Sequence, residues 1–275
     1  MSRTHLFIPD TQVKPGVPLD HLDWVGQYIV DRKPDVIVHA GDHYDLPSMS
    51  AWDRKKTASA FEGRRYRADV QAGHDGLIRL EGPLDAYNAE RRRYKEKQYK
   101  PEKHITWGNH ENRIERYIET AGELEGLLGI FEFDEFWRSR GWTTHQFLEV
   151  AEIDGVHYSH YFYNPLTGRP WGGMIQTRLK SIGYTFTQGH TQTLDHGVRY
   201  VGDQQQHGLV AGSCYLHDED FKGPQGNHHW RGIVVKHEVQ AGAYDPMFVS
   251  LNYLCNRYEG VSLDKFMAKR YPVAA

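Results

Sequence analysis

The first 42 residues contain two short apolar runs, each ending in an aspartate, on either side of an amphipathic segment. The runs are THLFIPD (4–10) and DVIVHAGD (35–42). Asp20 is placed to cap a helix between them, and Pro34 lies beyond its end. Apolar side chains recur there at helical spacing, at Leu22, Val25, Tyr28 and Ile29. A strand, a helix and a second strand in so short a span form a βαβ unit, which implies a parallel sheet.

The composition is that of a folded chain from a reducing compartment. Of the 275 residues 39% are apolar, and seven Trp, 17 Tyr and 11 Phe supply ample material for a core. The net charge of −3 gives no basic field that would announce nucleic acid. Cys214 and Cys255 form no CxxC pair and suggest buried thiols. No apolar run is long enough for a signal peptide or a membrane span, so a soluble cytoplasmic protein without a membrane partner is expected.

A strongly charged segment, residues 53–103, precedes a third apolar run, KHITWGNH (103–110). The segment carries 14 Lys or Arg against nine Asp or Glu, and Gly82-Pro83 interrupts it. This pattern predicts two helices, an inserted hairpin at about 53–102. A solvated hairpin and a basic flap that faces substrate or a partner both fit. Strand-like runs fill the second half without an evident linker, so one domain spanning 1–275 is predicted.

Groups able to bind a metal ion follow each apolar run of the first half, namely Asp10, Asp42 and Asn109. His160 and His190 follow strand-like runs of the second half. The carboxyl ends of parallel strands meet at one edge of a sheet, where open α/β proteins gather their binding sites. Oxygen and imidazole donors suit divalent cations. Each residue alone would more simply be a turn or core residue, but the five together predict a metal site.

Five short motifs, in this order along the chain, resemble those of the calcineurin-like metallophosphoesterases. They are PDTQ (9–12), GDHYD (41–45), GNHENR (108–113), YSH (158–160) and GHTQ (189–192). The resemblance implies the α/β fold of that superfamily, an αββα sandwich in which two mixed β-sheets pack face to face and are flanked by helices. It also implies hydrolysis of phosphoester bonds by a water or hydroxide bound at a site with two divalent metal ions.

The same resemblance assigns a place to each ligand. Asp42 would bridge the two cations. Three residues would complete the second position: Asn109, His160 and His190. Asp10 would bind the cation of the first position with Gln12 and Gln192, which stand where the superfamily has histidines. Neutral amides bind more weakly than imidazoles, and an oxygen-rich site makes Mn²⁺ the expected ion, with Mg²⁺, Zn²⁺, Fe and Ni²⁺ as alternatives.

His110 is not a metal ligand in this scheme. The resemblance implies that it donates a proton to the leaving group or stabilises the transition state, while Asp45 orients its ring. Asp45 could also cap a following helix. Arg113 could hold a phosphate oxygen or make a pair within its own helix. His43 and Tyr44 lie in the GDHYD loop and are expected to face the substrate.

The sequence defines the substrate less closely. Asp45 is followed by Leu46-Pro47, whereas the Ser/Thr protein phosphatases of the superfamily have Arg-Gly there, so that branch is disfavoured. A phosphodiesterase is the favoured interpretation, acting on a nucleotide, a cyclic nucleotide or nucleic acid, because the basic segment could hold a polyanion. A nuclease and a phosphomonoesterase are alternatives. A different class, a non-catalytic metal- or phosphate-binding module, would explain the two glutamines. The sequence indicates no particular oligomeric state.

Overall fold

Two β-sheets form the centre of the computed structural model, which describes residues 2–50, 65–219 and 222–272. The strands of this part of the chain are β1 (Arg3–Ile8), β2 (Val36–His39), β3 (Glu102–Thr106), β4 (Thr143–His145), β5 (Ala151–Ile153), β6 (Val156–Tyr158), β7 (Phe186–Gln188), β8 (Leu194–Val201), β9 (Gln204–Ala211), β10 (Gly232–Gln240) and β11 (Ala243–Ser250). Both sheets are built from local hairpins joined to parallel crossovers, and both are therefore mixed.

The first sheet has six strands in the order β11-β10-β1-β2-β3-β4, and the second has five in the order β5-β6-β7-β9-β8. In the first sheet β1 to β4 are parallel, as the strand–helix–strand pattern predicts, while β10 and β11 add an antiparallel hairpin. In the second sheet β6, β7 and β9 are parallel, and β5 and β8 are antiparallel edge strands.

The helices of the described residues flank these sheets. They are α1 (Asp20–Arg32), α2 (Tyr66–Arg93), α3 (Arg113–Ile118), α4 (Phe131–Ser139), α5 (Ile175–Ile182), α6 (Gly223–Asn227), α7 (Leu251–Glu259) and α8 (Leu263–Arg270). Asp20 does not cap α1, because it is the first helical residue and its carboxylate pairs with Arg79 at 3.3 Å. Within the described ranges, no helix has both the length and the apolar character that crossing a membrane requires.

Alternation of side chains along β1 explains the layered architecture. Leu6 and Ile8 point to one face, where they pack with apolar residues of α1, α2, α4 and α7. Phe7 points to the other face and stacks on Tyr158 of the second sheet, with ring centroids 5.8 Å apart. Each such buried side chain contributes about 1.5–3 kcal/mol. The layers run helices, sheet, sheet, helices, because α5 packs on the far side of β7 and β9. The predicted architecture is therefore confirmed.

The charged segment departs from its prediction. α2 continues through Gly82-Pro83 as one helix of 28 residues, so the predicted break between two helices is wrong. The proline is accommodated against α1, where a Cβ on Gly26 would lie 3.0 Å from Pro83 Cδ and 2.3 Å from the Leu80 carbonyl oxygen. One face of α2 is thus buried rather than solvated. Residues 51–64, which include the first part of the predicted insertion, lie outside the described residues.

The carboxyl ends of five strands meet at one edge of the sandwich. His160 Nδ1, which follows β6, lies 2.8 Å from the carbonyl oxygen of Ala40, which follows β2, and this contact joins the two sheets. The residues that immediately follow β1, β2, β3, β6 and β7 at this edge include Asp10, Asp42, Asn109, His160 and His190.

Candidate metal centre

Four of the predicted ligands lie in sharp turns. Gln12, Asp42, His190 and Gln192 have φ angles of 41°, 47°, 65° and 58°, in the left-handed region that residues with a Cβ rarely adopt. Such a conformation costs on the order of 1–3 kcal/mol and persists only where surrounding contacts hold it. One of those contacts joins two of the turns, because the Gln12 N–H donates to the Asp42 carbonyl oxygen at 2.8 Å. Strain of this kind is concentrated at functional sites.

Glu111 braces the turns that follow β2 and β3. Its carboxylate accepts hydrogen bonds from the backbone N–H groups of Asp42, Tyr44 and Gly108, each at 2.9 Å. Burial, and then the neighbouring Asp42, raise the pKa of Glu111 to about 7. Glu111 was given no role from the sequence, although it stands inside the GNHENR motif, which was the signal that could have identified it.

The side chains at the strand ends converge. One ligand atom each from Asp10, Asp42 and His160 lies within 4.8 Å of the others, and all three residues are buried. Asn109 Oδ1 lies 2.9 Å from His160 Nε2 and 2.7 Å from His190 Nδ1. Asp42 Oδ2 lies 3.4 Å from His160 Nε2. A carboxylate, an amide oxygen and two imidazole nitrogens form a donor set suited to a divalent cation. We call these the four-donor set: Asp42, Asn109, His160 and His190.

Two glycines allow the backbone to approach the carboxylates. A Cβ on Gly189 would lie 2.1 Å from Asp10 Oδ1, and a Cβ on Gly108 would lie 2.1 Å from Asp42 Oδ1. The space is used for hydrogen bonds: the His190 N–H donates to Asp10 Oδ1 at 3.1 Å, and the His110 N–H donates to Asp42 Oδ1 at 2.9 Å. Both carboxylates are therefore held by main-chain donors of the opposite turn.

Burial and mutual charge set the protonation of the cluster. Burial raises the pKa of Asp10 to about 6. Burial acts in the same direction on Asp42, but His110 and His160 outweigh it and lower its pKa. His160 is buried as well, yet Asp42 raises its pKa to about 9. Burial, and then His160, lower the pKa of His190 to about 4. The cluster therefore gathers buried carboxylates whose charge must be balanced by neighbouring cations.

His110 and Asp45 form a pair beside the four-donor set. His110 Nδ1 lies 2.8 Å from Asp45 Oδ1. Burial lowers the pKa of His110, but Asp42 and Asp45 outweigh it and raise the net value. Burial raises the pKa of Asp45, but His110 and Lys14 outweigh it and hold the net value below its ordinary range. The alternative role of Asp45 as a helix cap is wrong, since the short 3₁₀ turn that follows begins after Leu46.

Arg113 lies against this pair. One of its nitrogens, Nη1, donates to the Asp45 carbonyl oxygen at 2.6 Å, and Nη2 lies 3.0 Å from His110 Nε2. The expected pair within its own helix is wrong, since these partners precede the helix and the guanidinium rests on the His110 ring. An arginine can only donate, so in this geometry His110 Nε2 is the acceptor and its proton is on Nδ1.

His43 and Tyr44 do not line an open site. Both side chains are fully buried, so the prediction that they face the substrate is wrong. His43 Nε2 lies 2.8 Å from the Gly73 carbonyl oxygen of α2. Tyr44 stacks on Phe133 with centroids 4.3 Å apart. Both pack into the helical side of the core because the GDHYD loop turns its middle residues inward, and sequence alone does not show which way a loop residue points.

At the first position, beside Asp10, the side chain of Gln192 is oriented differently from the prediction. Gln192 Nε2 faces Asp10 Oδ2 at 3.4 Å, while its oxygen accepts hydrogen bonds from the Tyr215 hydroxyl at 2.8 Å and from Lys222 Nζ. Because an ammonium can only donate, it fixes the amide with its oxygen turned away from Asp10. Gln192 therefore does not fit as an oxygen ligand beside Asp10. Gln12 is buried in the same turn region.

A group of charged residues that the sequence did not indicate lies beside Asp45. Lys14 Nζ lies 2.9 Å from Asp45 Oδ2 and 2.7 Å from Glu219 Oε1. Glu219 Oε1 also lies 3.0 Å from His217 Nε2. These residues come from the turn after β1 and from the segment after β9, and no local motif marks them.

Comparison with known proteins adds little to this geometry. No protein-family model matches the chain, and no curated protein matches it. Among solved structures, one match is the crystal structure of TT1561 of Thermus thermophilus, with a TM-score of 0.34 and 8% sequence identity over 90% of this chain and 99% of that one. A likeness at this level carries no argument about activity. What can be said of function rests on the site.

Proposed function

We propose that this chain is a metal-dependent phosphoesterase of the calcineurin-like metallophosphoesterase superfamily, with phosphodiesters as the favoured substrates. The observation that carries the proposal is the convergence of the four-donor set beside the His110–Asp45 pair at the carboxyl ends of the strands. A divalent cation bound there would lower the pKa of a water molecule and neutralise charge on a phosphoryl group. Mn²⁺ is the ion we expect to support activity best.

The residues beside the four-donor set supply the proton chemistry. Asp45 holds the His110 ring through Nδ1, which leaves Nε2 to serve the leaving oxygen. Arg113 covers Nε2 in the absence of substrate. A phosphate group attracts a guanidinium more strongly than a neutral imidazole does, so substrate would draw Arg113 onto a phosphate oxygen. The raised pKa of His110 then favours the protonated ring that can donate to the leaving group.

The diester preference rests on the basic segment, of which the structure describes α2. Gly73 and Gly76 of α2 pack against the GDHYD loop, so the exposed Arg67 lies nearer to that loop along the helix than the Arg91–Arg93 cluster does. The Arg91–Arg93 cluster is at the other end of the helix, near Tyr87, whose hydroxyl accepts from Lys33 at 2.8 Å. An extended polyanion would therefore contact the beginning of α2.

The decisive experiment is a substrate panel with purified protein stripped of metal. Bis(4-nitrophenyl) phosphate, 4-nitrophenyl phosphate, a cyclic nucleotide and single-stranded DNA are each tested with Mn²⁺, Mg²⁺, Zn²⁺, Ni²⁺ and Ca²⁺. We expect metal-dependent cleavage of the diester and none in Asp42→Ala.

Other outcomes select the alternatives. Cleavage of the monoester alone would identify a phosphomonoesterase, and cleavage of DNA at a higher rate than of small diesters would identify a nuclease. Metal binding without turnover of any ester would contradict the enzyme and support the non-catalytic module.

A further inference from the structure

The first position contains a lysine. Lys222 Nζ donates to Gln192 Oε1, and the nitrogen of the same amide faces Asp10 Oδ2 at 3.4 Å. The amide thus stands between an ammonium group and a buried carboxylate. Lys222 is 30 residues from Gln192 along the chain, which is why no motif revealed the contact.

A second contact holds the ammonium in place. Lys222 Nζ donates to the Tyr215 hydroxyl at 2.9 Å, and it lies 5.6 Å from the centre of the Tyr215 ring. The Tyr215 hydroxyl donates in turn to Gln192 Oε1 at 2.8 Å, so the lysine, the tyrosine and the amide form a closed triangle. Tyr215 itself is fully buried. A side chain fixed by two partners in this way is directed toward the site rather than into solvent.

We propose that the Lys222 ammonium takes the place of the cation at the first position, so that the chain holds one divalent ion, on the four-donor set, instead of two. This inference rests on the proposed function and deepens it. Lys222 would supply a fixed positive charge opposite Asp10, on the far side of the Gln192 amide.

The charges of the site agree with this arrangement. Asp10 is completely buried, and its carboxylate needs a neighbouring cation to remain ionised. Lys222 is one source of that charge, since its ammonium faces Asp10 across the Gln192 amide. A divalent ion bound to Asp10 would face the ammonium across the Gln192 amide, and like charges repel each other in a buried site. The lysine therefore disfavours a second metal ion beside Asp10.

The test measures metal stoichiometry, which does not depend on turnover. The metal-free chain is titrated with Mn²⁺ by calorimetry, and the bound metal is counted by elemental analysis after dialysis. We expect one Mn²⁺ per chain in the wild type and in Gln192→His, because Lys222 remains. The double variant Lys222→Met with Gln192→His should bind two. Lys180→Met, at an exposed position of α5, is the matched control and should bind one.

Activity provides a second measurement. Lys222→Met should lower kcat for the diester by roughly 10²-fold, the usual effect of removing one fixed charge donor, and Lys222→Arg should restore part of it. Two tightly bound Mn²⁺ ions in the wild type would overturn the assignment of Lys222 and leave the proposed function standing. Absence of any bound metal in the wild type would overturn the proposed function itself. A double variant that is folded by circular dichroism and still binds one ion would also contradict the proposal.

Discussion

Buried charge is accommodated in two ways within the same pair of sheets. At the carboxyl ends of the strands, Asp10 and Asp42 share a buried site with two imidazoles and an amide oxygen. Between the sheets, Lys236 of β10 is also fully buried, but its Nζ donates to Thr187 Oγ1 at 2.5 Å and to the Tyr158 hydroxyl at 3.1 Å. The same amine lies 4.2 Å from the centre of the Tyr158 ring.

The two regions differ in whether the chain itself supplies all the partners of the buried charged groups. Around Lys236, hydroxyl groups and aromatic faces of the chain itself surround the amine, and His5 continues the network from Tyr158 to Asp154. Burial lowers the pKa of Lys236 well below its ordinary value. In the candidate metal centre, two carboxylates, an amide oxygen and two imidazoles face one another, and this donor set would also suit a cation from outside. The cluster at the strand ends is therefore a candidate binding site, whereas the network around Lys236 calls for no ligand.

The largest expected effect is that of Asp42→Ala. Loss of this carboxylate should remove turnover and weaken metal binding by more than the roughly 10–100-fold typical of an outer-shell residue. The metal-free variant should also be less stable than the wild type, since His160, whose pKa Asp42 raises, loses its buried partner. Elemental analysis and thermal unfolding measure both effects, with exposed Asp203→Ala as control. His190→Ala should also lose metal and turnover. Full metal content in either variant would refute its assignment as a ligand.

His110→Ala should separate proton transfer from metal binding. The variant should keep its metal and lose about 10²–10⁴ in kcat, the usual range for a lost acid–base group. The loss should be smaller for a nitrophenolate leaving group than for an alkoxide, because nitrophenolate departs without a proton. The control is His237→Ala, a half-buried residue of β10. Equal losses with the two leaving groups would argue against a proton donor.

Substitutions of Lys236 test the other region. Lys236→Ala should lower the free energy of unfolding by about 2–5 kcal/mol, because it leaves a cavity and removes the donor to Thr187. Lys236→Met keeps the volume and should change stability by less than about 1.5 kcal/mol. Neither variant should alter metal affinity. Urea unfolding with and without Mn²⁺ measures both quantities, and a change in metal affinity would show that the two regions are coupled.

Within the candidate metal centre, the smallest effect is expected for Gly189→Ala. A Cβ at this position would lie 2.1 Å from Asp10 Oδ1, so the carboxylate must shift while the four-donor set keeps its side chains. Metal affinity or turnover should fall by roughly 10–100-fold, as for a displaced supporting group. Gly172→Ala is the matched control, because no atom lies within 4 Å of its Cβ. Unchanged catalysis in Gly189→Ala would mean that Asp10 has room to move without consequence.

What could be predicted from the sequence was local. The βαβ unit and the convergence of the strand-end side chains follow from apolar periodicity and from motifs whose members are close in the chain. The predicted helix break at Gly82-Pro83 was wrong because Pro83 is accommodated by Gly26 of another helix, a contact that no local propensity reports. The burial of Tyr44 depends on Phe133, and the orientation of Gln192 depends on Lys222, both distant in sequence. Contacts between residues that are far apart in the sequence decide which side chains face the site.

The Glu111 brace has a consequence for the thermodynamics of binding. One carboxylate ties the backbone of Asp42 to that of Gly108, the residue before Asn109, so two candidate ligands in the turns after β2 and β3 are immobilised when the chain folds. The conformational entropy of these loops is therefore lost during folding, and a cation that arrives later loses little more. Amide hydrogen exchange at Asp42 and Tyr44 should accordingly be slow in the metal-free protein and change little when the ion binds.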